Sequence, residues 1–172
     1  MPRISALTIE QAAPTAQTLL QATKTKLGML PNLFSTLAHS PAALSGYLQL
    51  GDALRHGALT ATQRETISLA AAQFNGCGYC LSAHTLMGKG AGLSPQAIAD
   101  ARQGVVDPVA ILTRQVLQSQ GNISDAELAA ARAAGLDDAR IVEVVSAVAL
   151  NVLTNYFNNL AATEIDFPRV EL

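Results

Sequence analysis

Three times in this chain a short polar residue is followed by proline, at Ser40-Pro41, Ser94-Pro95 and Asp107-Pro108. Serine and aspartate are strong helix N-caps. Proline suits the first helical position, where its missing N–H has no partner to lose and its fixed φ is already helical. Each pair therefore predicts the opening of a helix, and other helix punctuation fills the gaps between them. Thr60 is a good N-cap for a helix running through Glu65 to Phe74, which Asn75-Gly76 breaks. Cys77 to about Met87 is apolar-periodic again and ends in Gly88-Lys89-Gly90. Ser124-Asp125-Ala126-Glu127 opens another helix, and Asp137 or Asp138 opens the longest, through Ala162. Nearer the start, Thr8-Ile9-Glu10-Gln11 has the form of a capping box and predicts a helix from there to about Gly28. Pro31-Asn32 begins a short segment from Leu33 to His39. Beyond Pro41, Leu44, Tyr47, Leu48 and Leu54 recur at helical spacing up to Gly57. The tail from Ile165 to Leu172, with Pro168, reads as extended.

Composition agrees with this punctuation. Alanine supplies 31 of 172 residues, tryptophan is absent and aromatics make up only 4%. Alanine is the strongest helix former and packs poorly on a strand surface, so the expected fold is all-α, with residues 1–172 as one domain. An apolar share of 49% against a net charge of −2 excludes global disorder. With 11 basic and 13 acidic side chains, the basic excess of a nucleic-acid binder is missing. No apolar run of about 18 residues is free of strongly polar side chains, so no membrane span is expected. Met1-Pro2-Arg3-Ile4-Ser5 does not resemble a secretory leader, which makes a cytoplasmic location the expectation. The high mean hydropathy predicts more apolar surface than one subunit buries, hence a homo-oligomer.

An internal repeat is suggested by short, gapped similarities. Ser40-Pro41-Ala42-Ala43-Leu44 followed by Gly57-Ala58-Leu59-Thr60 resembles Asp107-Pro108-Val109-Ala110-Ile111 followed by Gly121-Asn122-Ile123-Ser124. After an insertion, Glu65-Thr66-Ile67-Ser68 aligns with Glu143-Val144-Val145-Ser146, which sets Cys77 and Cys80 against Asn155 and Asn158. The fold would then be two related helical units, with thiols only in the first.

Both cysteines of the chain lie in one motif, Cys77-Gly78-Tyr79-Cys80. In a cytosolic chain that spacing points to redox or metal chemistry before a structural staple. At a helix N-terminus residues i and i+3 share a face, so the sulfurs can reach bonding distance. The unpaired N–H groups and dipole there also favour a thiolate. On these grounds alone Cys77 is the more acidic thiol. His84 lies one turn beyond Cys80, in register to accept its proton. Glu65, mid-helix among Ile67, Leu69, Ala70 and Ala71, either orients His84 or is solvated beside Arg64. His39 and His56 stand at helix ends, where an imidazole complements the dipole. Asn151, Asn155, Asn158 and Asn159 fall at spacings of three and four on the last helix. They either bond across a subunit or repeat interface or line the site.

Glu65, then Cys77-x-x-Cys80, then His84, with the string Cys77-Gly78-Tyr79-Cys80-Leu81-Ser82-Ala83-His84, resembles the signature of the AhpD-like alkylhydroperoxidases of the carboxymuconolactone decarboxylase superfamily. Leu27-Gly28-Met29-Leu30-Pro31-Asn32 and Thr163-Glu164-Ile165-Asp166-Phe167-Pro168 resemble its peroxidase-related members. The resemblance implies an AhpD-like helical bundle, trimeric or hexameric, that reduces a small-molecule hydroperoxide with no bound cofactor or metal. In this reading Cys80 is peroxidatic, Cys77 resolves, and His84 with Glu65 form the proton relay. Lipoyl-domain or thioredoxin-like proteins would be the thiol reductants. Tyr79 departs from the pattern, since the best-studied branch carries a second relay histidine between the cysteines, and a phenol with a pKa near 10 is the poorer base at neutral pH. Two other readings share the same residues. One is a metal-binding or redox-sensing protein using Cys77, Cys80, His84 and Glu65 as ligands, and the other is a protein disulfide oxidoreductase.

Overall fold

The computed structural model describes residues Met1–Leu172. It contains nine helices and no strand: α1 (Pro14–Leu27), α2 (Asn32–Leu37), α3 (Pro41–Arg55), α4 (Ala61–Phe74), α5 (Gly78–Gly90), α6 (Pro95–Gln103), α7 (Pro108–Ser119), α8 (Asp125–Ala133) and α9 (Asp138–Ala161). The Ser-Pro and Asp-Pro pairs act as their chemistry predicts. Ser40, Ser94 and Asp107 each cap a helix with proline at its first position, their side chains accepting from the N–H of Ala43, Ala97 and Val109. Thr60 with Gln63, and Ser124 with Glu127, form reciprocal capping boxes.

The beginning of α1 departs from expectation. Thr8 and Gln11 do exchange the two hydrogen bonds of a capping box, Thr8 N–H to Gln11 Oε1 and Gln11 N–H to Thr8 Oγ1. The box closes only a turn, because Pro14 lies just downstream. A residue before proline is pushed out of the helical region, and Ala13 is extended at φ −60° and ψ 149°. The helix starts afresh at Pro14. At its other end Gly28, at φ 75°, supplies the left-handed C-cap expected of it.

α4 occupies the centre and packs against α5, α6, α7 and α9. Thr66 to Ala72 are buried without interruption, the pattern of a helix enclosed on every side. Two apolar cores flank it. One gathers Leu20, Leu37, Leu44, Leu69 and Leu81 around Cys77, Tyr79 and Cys80. The other gathers Ile67, Val109, Leu112, Val116, Val144 and Val148 from α4, α7 and α9, and holds no thiol. α9 is long and apolar enough by length and composition to cross a membrane. Here it packs on α3, α4, α5 and α7, and its inward face carries Asn151, Asn155 and Asn158 among the buried apolar residues, as in a core helix. Its outer face leaves Val142, Val145, Leu153, Tyr156 and Leu160 exposed.

Candidate active site

Asn75 ends α4, and Gly76, at φ 61°, turns the chain in the left-handed conformation a glycine adopts without strain. α5 then begins with Cys77 as its N-cap, Sγ accepting from the Cys80 N–H at 3.2 Å. The two cysteines are joined as a disulfide, with their Cα atoms 5.3 Å apart. Both are buried, Cys77 completely.

One turn along α5, His84 meets Glu65 from α4. The imidazole Nδ1 lies 2.9 Å from Glu65 Oε2, with side-chain exposures of 19% and 14%. Of the two roles open to Glu65 in the sequence, the structure shows the contact with His84, while Arg64 donates instead to the Leu59 carbonyl. A carboxylate at Nδ1 fixes the ring with its proton there and leaves Nε2 as the basic nitrogen. Gly88, one turn beyond His84, lies where α5 packs on α4 and on the loop that follows α5. A Cβ there would press on Leu93 at 3.2 Å and reach within 3.9 Å of Glu65 Cβ. Tyr47, half-buried on α3, belongs to the same neighbourhood. Burial and then the Glu65 carboxylate push its phenol up to about 12, with Arg55 opposing them. Sequence reasoning used Tyr47 only as an apolar helical position.

Tyr79 is a strut. Its hydroxyl accepts from the Leu33 N–H at the start of α2 (3.2 Å), and its ring meets Phe167 edge-on at 5.6 Å. Burial, reinforced by Asp166, raises its pKa far above the ordinary phenol range, while the Leu33 bond opposes. A group so hard to ionise does not shuttle protons near neutrality. Asp166 itself pins the tail through Oδ2, which accepts from the Asn32 N–H at 2.7 Å. The tail then crosses α5, where the Val170 N–H donates to Ser82 Oγ at 3.0 Å.

Three of the four asparagines of α9 reach other elements near the cysteine pair, and the fourth fits neither of the roles the sequence left open. Asn151 bonds back to Ala147 within its own helix. Asn155 and Asn159 hold the α4–α5 turn, Asn155 Oδ1 accepting from Asn75 Nδ2 and Asn159 Nδ2 donating to the Asn75 carbonyl, each at 2.9 Å. Asn158 Nδ2 donates to Cys80 Sγ at 3.2 Å. Their signal in the sequence was a polar line at i, i+3 and i+4 along an apolar helix, which identifies a shared face without naming what the face meets. His39 and His56 stay away from this cluster, His39 Nε2 against the Ser5 carbonyl and His56 as the C-cap of α3. No group of three histidine, cysteine, aspartate or glutamate side chains converges with the geometry to hold a metal ion, so the ligand set proposed from the sequence is not assembled as one.

Residues 41–111, which span α3 to the first turn of α7, match the profile of the carboxymuconolactone decarboxylase family. The whole chain superimposes on a peroxidase-related protein from Ralstonia eutropha JMP134 with an alkylhydroperoxidase AhpD core, at TM-score 0.83 and 22% identity over 96% of this chain and 92% of that one. The chain has the AhpD-like helical fold, and its segment from α3 into α7 is similar to the carboxymuconolactone decarboxylase family. This AhpD-like fold also matches a peroxidase-related protein from Silicibacter sp. TM1040, with TM-score 0.77, 22% identity, and 94% and 91% of the two chains covered. A third neighbour is a cysteine-to-alanine variant of the debrominase Bmp8 in complex with 2,3,4-tribromopyrrole, with TM-score 0.77, 14% identity, and 95% and 91% coverage. No curated protein matches the chain in sequence. The same architecture thus occurs in a debrominase and in peroxidase-related proteins, and the fold alone does not choose an activity for this chain.

Proposed function

We propose that this chain is a thiol-dependent hydroperoxide reductase. The observation that carries the reading is a buried cysteine pair on the first turn of α5, one turn from a glutamate-oriented histidine on the same helix. In the dithiol form His84 takes the Cys80 proton. The thiolate attacks the terminal oxygen of ROOH, the O–O bond breaks, and its electron pair leaves with RO⁻, which is protonated to the alcohol. Cys80 is then a sulfenic acid. Cys77 attacks its sulfur, expelling hydroxide that becomes water, and the disulfide forms. The sum is two thiols and ROOH giving one disulfide, ROH and H₂O, and the disulfide in the structure is the product state of that cycle.

A second dithiol must reduce the pair again. The burial of both sulfurs favours a slender donor, such as a dihydrolipoyl arm, over a broad thioredoxin-like surface. Cycling thiols support a cytoplasmic location. The exposed apolar row along α9 supports a homo-oligomer, which sedimentation at micromolar concentration checks.

The decisive experiment is a thiol count on the reduced protein before and after one equivalent of an organic hydroperoxide. The expected result is rapid loss of both thiols, reversed by dithiothreitol, and loss of all turnover in Cys80→Ser. Two thiols surviving for many minutes would leave a sensor or a protein disulfide oxidoreductase as the better reading.

A further inference from the structure

A small pocket of about 220 Å³ opens between α4, α6 and α7, and neither cysteine nor His84 lines it. Its walls carry two guanidiniums, Arg102 and Arg114, and three carboxamides, Gln73, Gln103 and Gln118, with Phe74 beside them and no carboxylate. Both arginines are anchored by neutral acceptors. Arg102 donates through Nε to Gln73 Oε1 at 2.7 Å and through Nη2 to the Glu171 carbonyl at 2.8 Å. Arg114 donates through Nη1 to the Gln103 carbonyl at 2.7 Å. No acid pairs with either, whereas Arg55, Arg132 and Arg140 each meet an aspartate at 2.8 or 2.9 Å. The neighbouring acids are engaged elsewhere, Asp100 with Gln96 Nε2 and Asp107 with the Val109 N–H. Two positive groups thus share one concavity with no anion of the chain between them, an arrangement that repels itself and that a bound anion relieves.

The backbone fixes this geometry. Gly104 caps α6 at φ 66°, and the Arg114 stem lies so close that a Cβ there would sit 2.7 Å from Arg114 Cβ and Cδ. Two residues on, the Asp107 N–H returns to the Val105 carbonyl around Val106 at φ 67°, a tight turn that a β-branched residue adopts only under strain. The connection folds α7 back against α6 and brings Arg114, in the second turn of α7, to the same pocket as Arg102.

We propose that Arg102 and Arg114, with the carboxamides of Gln73, Gln103 and Gln118, bind the phosphate group of a small molecule at a site separate from the cysteine pair. A guanidinium presents its N–H donors as a planar fork and meets phosphate oxygens two at a time. Arg102 Nη1 and Arg114 Nε and Nη2 have no acceptor within the chain and are free for this. A phosphate group is largely dianionic at neutral pH, so it matches two guanidiniums better than one carboxylate does. The pocket holds roughly seven water volumes, room for a phosphate and a small substituent, and the exposed Phe74 ring offers that substituent an apolar wall.

The test is calorimetric titration of the full chain in phosphate-free buffer at fixed chloride, with inorganic phosphate, phenyl phosphate and benzoate as probes. One saturable site with a Kd on the order of 1 mM is expected for phosphate. Arg102→Gln and Arg114→Gln should each weaken it roughly ten- to a hundredfold, about the weight of charge-assisted hydrogen bonds, with thermal melts to confirm folding. Arg114→Lys keeps the charge and loses the fork, and should weaken binding roughly tenfold. Equal affinity for phosphate and phenyl phosphate supports a site for the free anion. Tighter binding of phenyl phosphate, lost in Phe74→Ala, supports a site for a phosphate ester. Wild-type affinity in Arg114→Lys would reduce the pair to a diffuse basic patch and overturn the site, as would binding that does not saturate. Benzoate binding more tightly than phosphate would overturn the phosphate assignment.

Discussion

Glu65 in the second turn of α4 and Glu143 in the second turn of α9 are paired by the repeat alignment read from the sequence, yet the fold uses them for opposite purposes. Glu143 accepts from two backbone amides of the α3–α4 connection, Ala58 N–H at 2.7 Å and Leu59 N–H at 3.0 Å. Both of its oxygens are committed to groups that never change protonation. Gly57 must remain glycine for the carboxylate to lie there, since a Cβ would collide with it. Glu65 instead spends its carboxylate on an imidazole that can gain and lose a proton. A carboxylate satisfied by amides stabilises a turn, whereas one satisfied by a histidine tunes a base. A later pair in that alignment repeats the lesson. Cys80 and Asn158 face each other across α5 and α9, one supplying a sulfur and the other a donor to it.

The largest effect that would sharpen this contrast is expected in Glu65→Gln. Losing the carboxylate that orients and charges the His84 ring should lower peroxide turnover by roughly 10²–10⁴-fold with little change in Tm, as steady-state kinetics beside thermal melts would show. Equal turnover in Glu65→Gln and wild type would erase the distinction. Glu143→Gln should do the reverse. It leaves the activity per folded molecule unchanged and costs about 2 kcal/mol through weakened bonds to Ala58 and Leu59, or roughly 4–8 °C in Tm.

Tyr79→Phe tests the strut between the cysteines. The lost bond to the Leu33 N–H should cost about 1 kcal/mol in urea unfolding, while peroxide turnover near neutrality stays close to wild type. A large loss of turnover there would instead give the Tyr79 hydroxyl a part in the proton relay. The smallest effect concerns alkaline pH. The phenols of Tyr47 and Tyr79 are harder to ionise in the folded state than in the unfolded chain, so their contribution to stability is complete below about pH 10. For Tyr47 it should fade as pH rises from there toward about 12, and Tyr47→Phe should flatten that part of an alkaline unfolding curve.

Local chemistry that acts over three or four residues was legible in the chain. The Ser-Pro and Asp-Pro helix starts, the Thr60 and Ser124 boxes, the Asn75-Gly76 break and the Cys77-x-x-Cys80 spacing needed no distant partner. The Thr8 box does not mark the helix start because its two hydrogen bonds form in a bare turn as well, and Pro14 delays the helix to its own position. Tyr79 read as a weak base, since nothing in its neighbours along the chain announces Leu33, Phe167 and Asp166 around it.

By itself the sequence determined the helical class, most helix boundaries and the place where thiol chemistry can occur, because caps, breaks and i to i+4 registers are short-range properties. Only the tertiary structure decided that Glu65 meets His84 while Glu143 meets backbone amides, and that Asn158 reaches Cys80 across 78 positions of chain. Those contacts depend on which face of α4 and α9 turns toward α5. That choice is made by burying two apolar cores at once, a constraint spread over the whole chain and visible in no single segment.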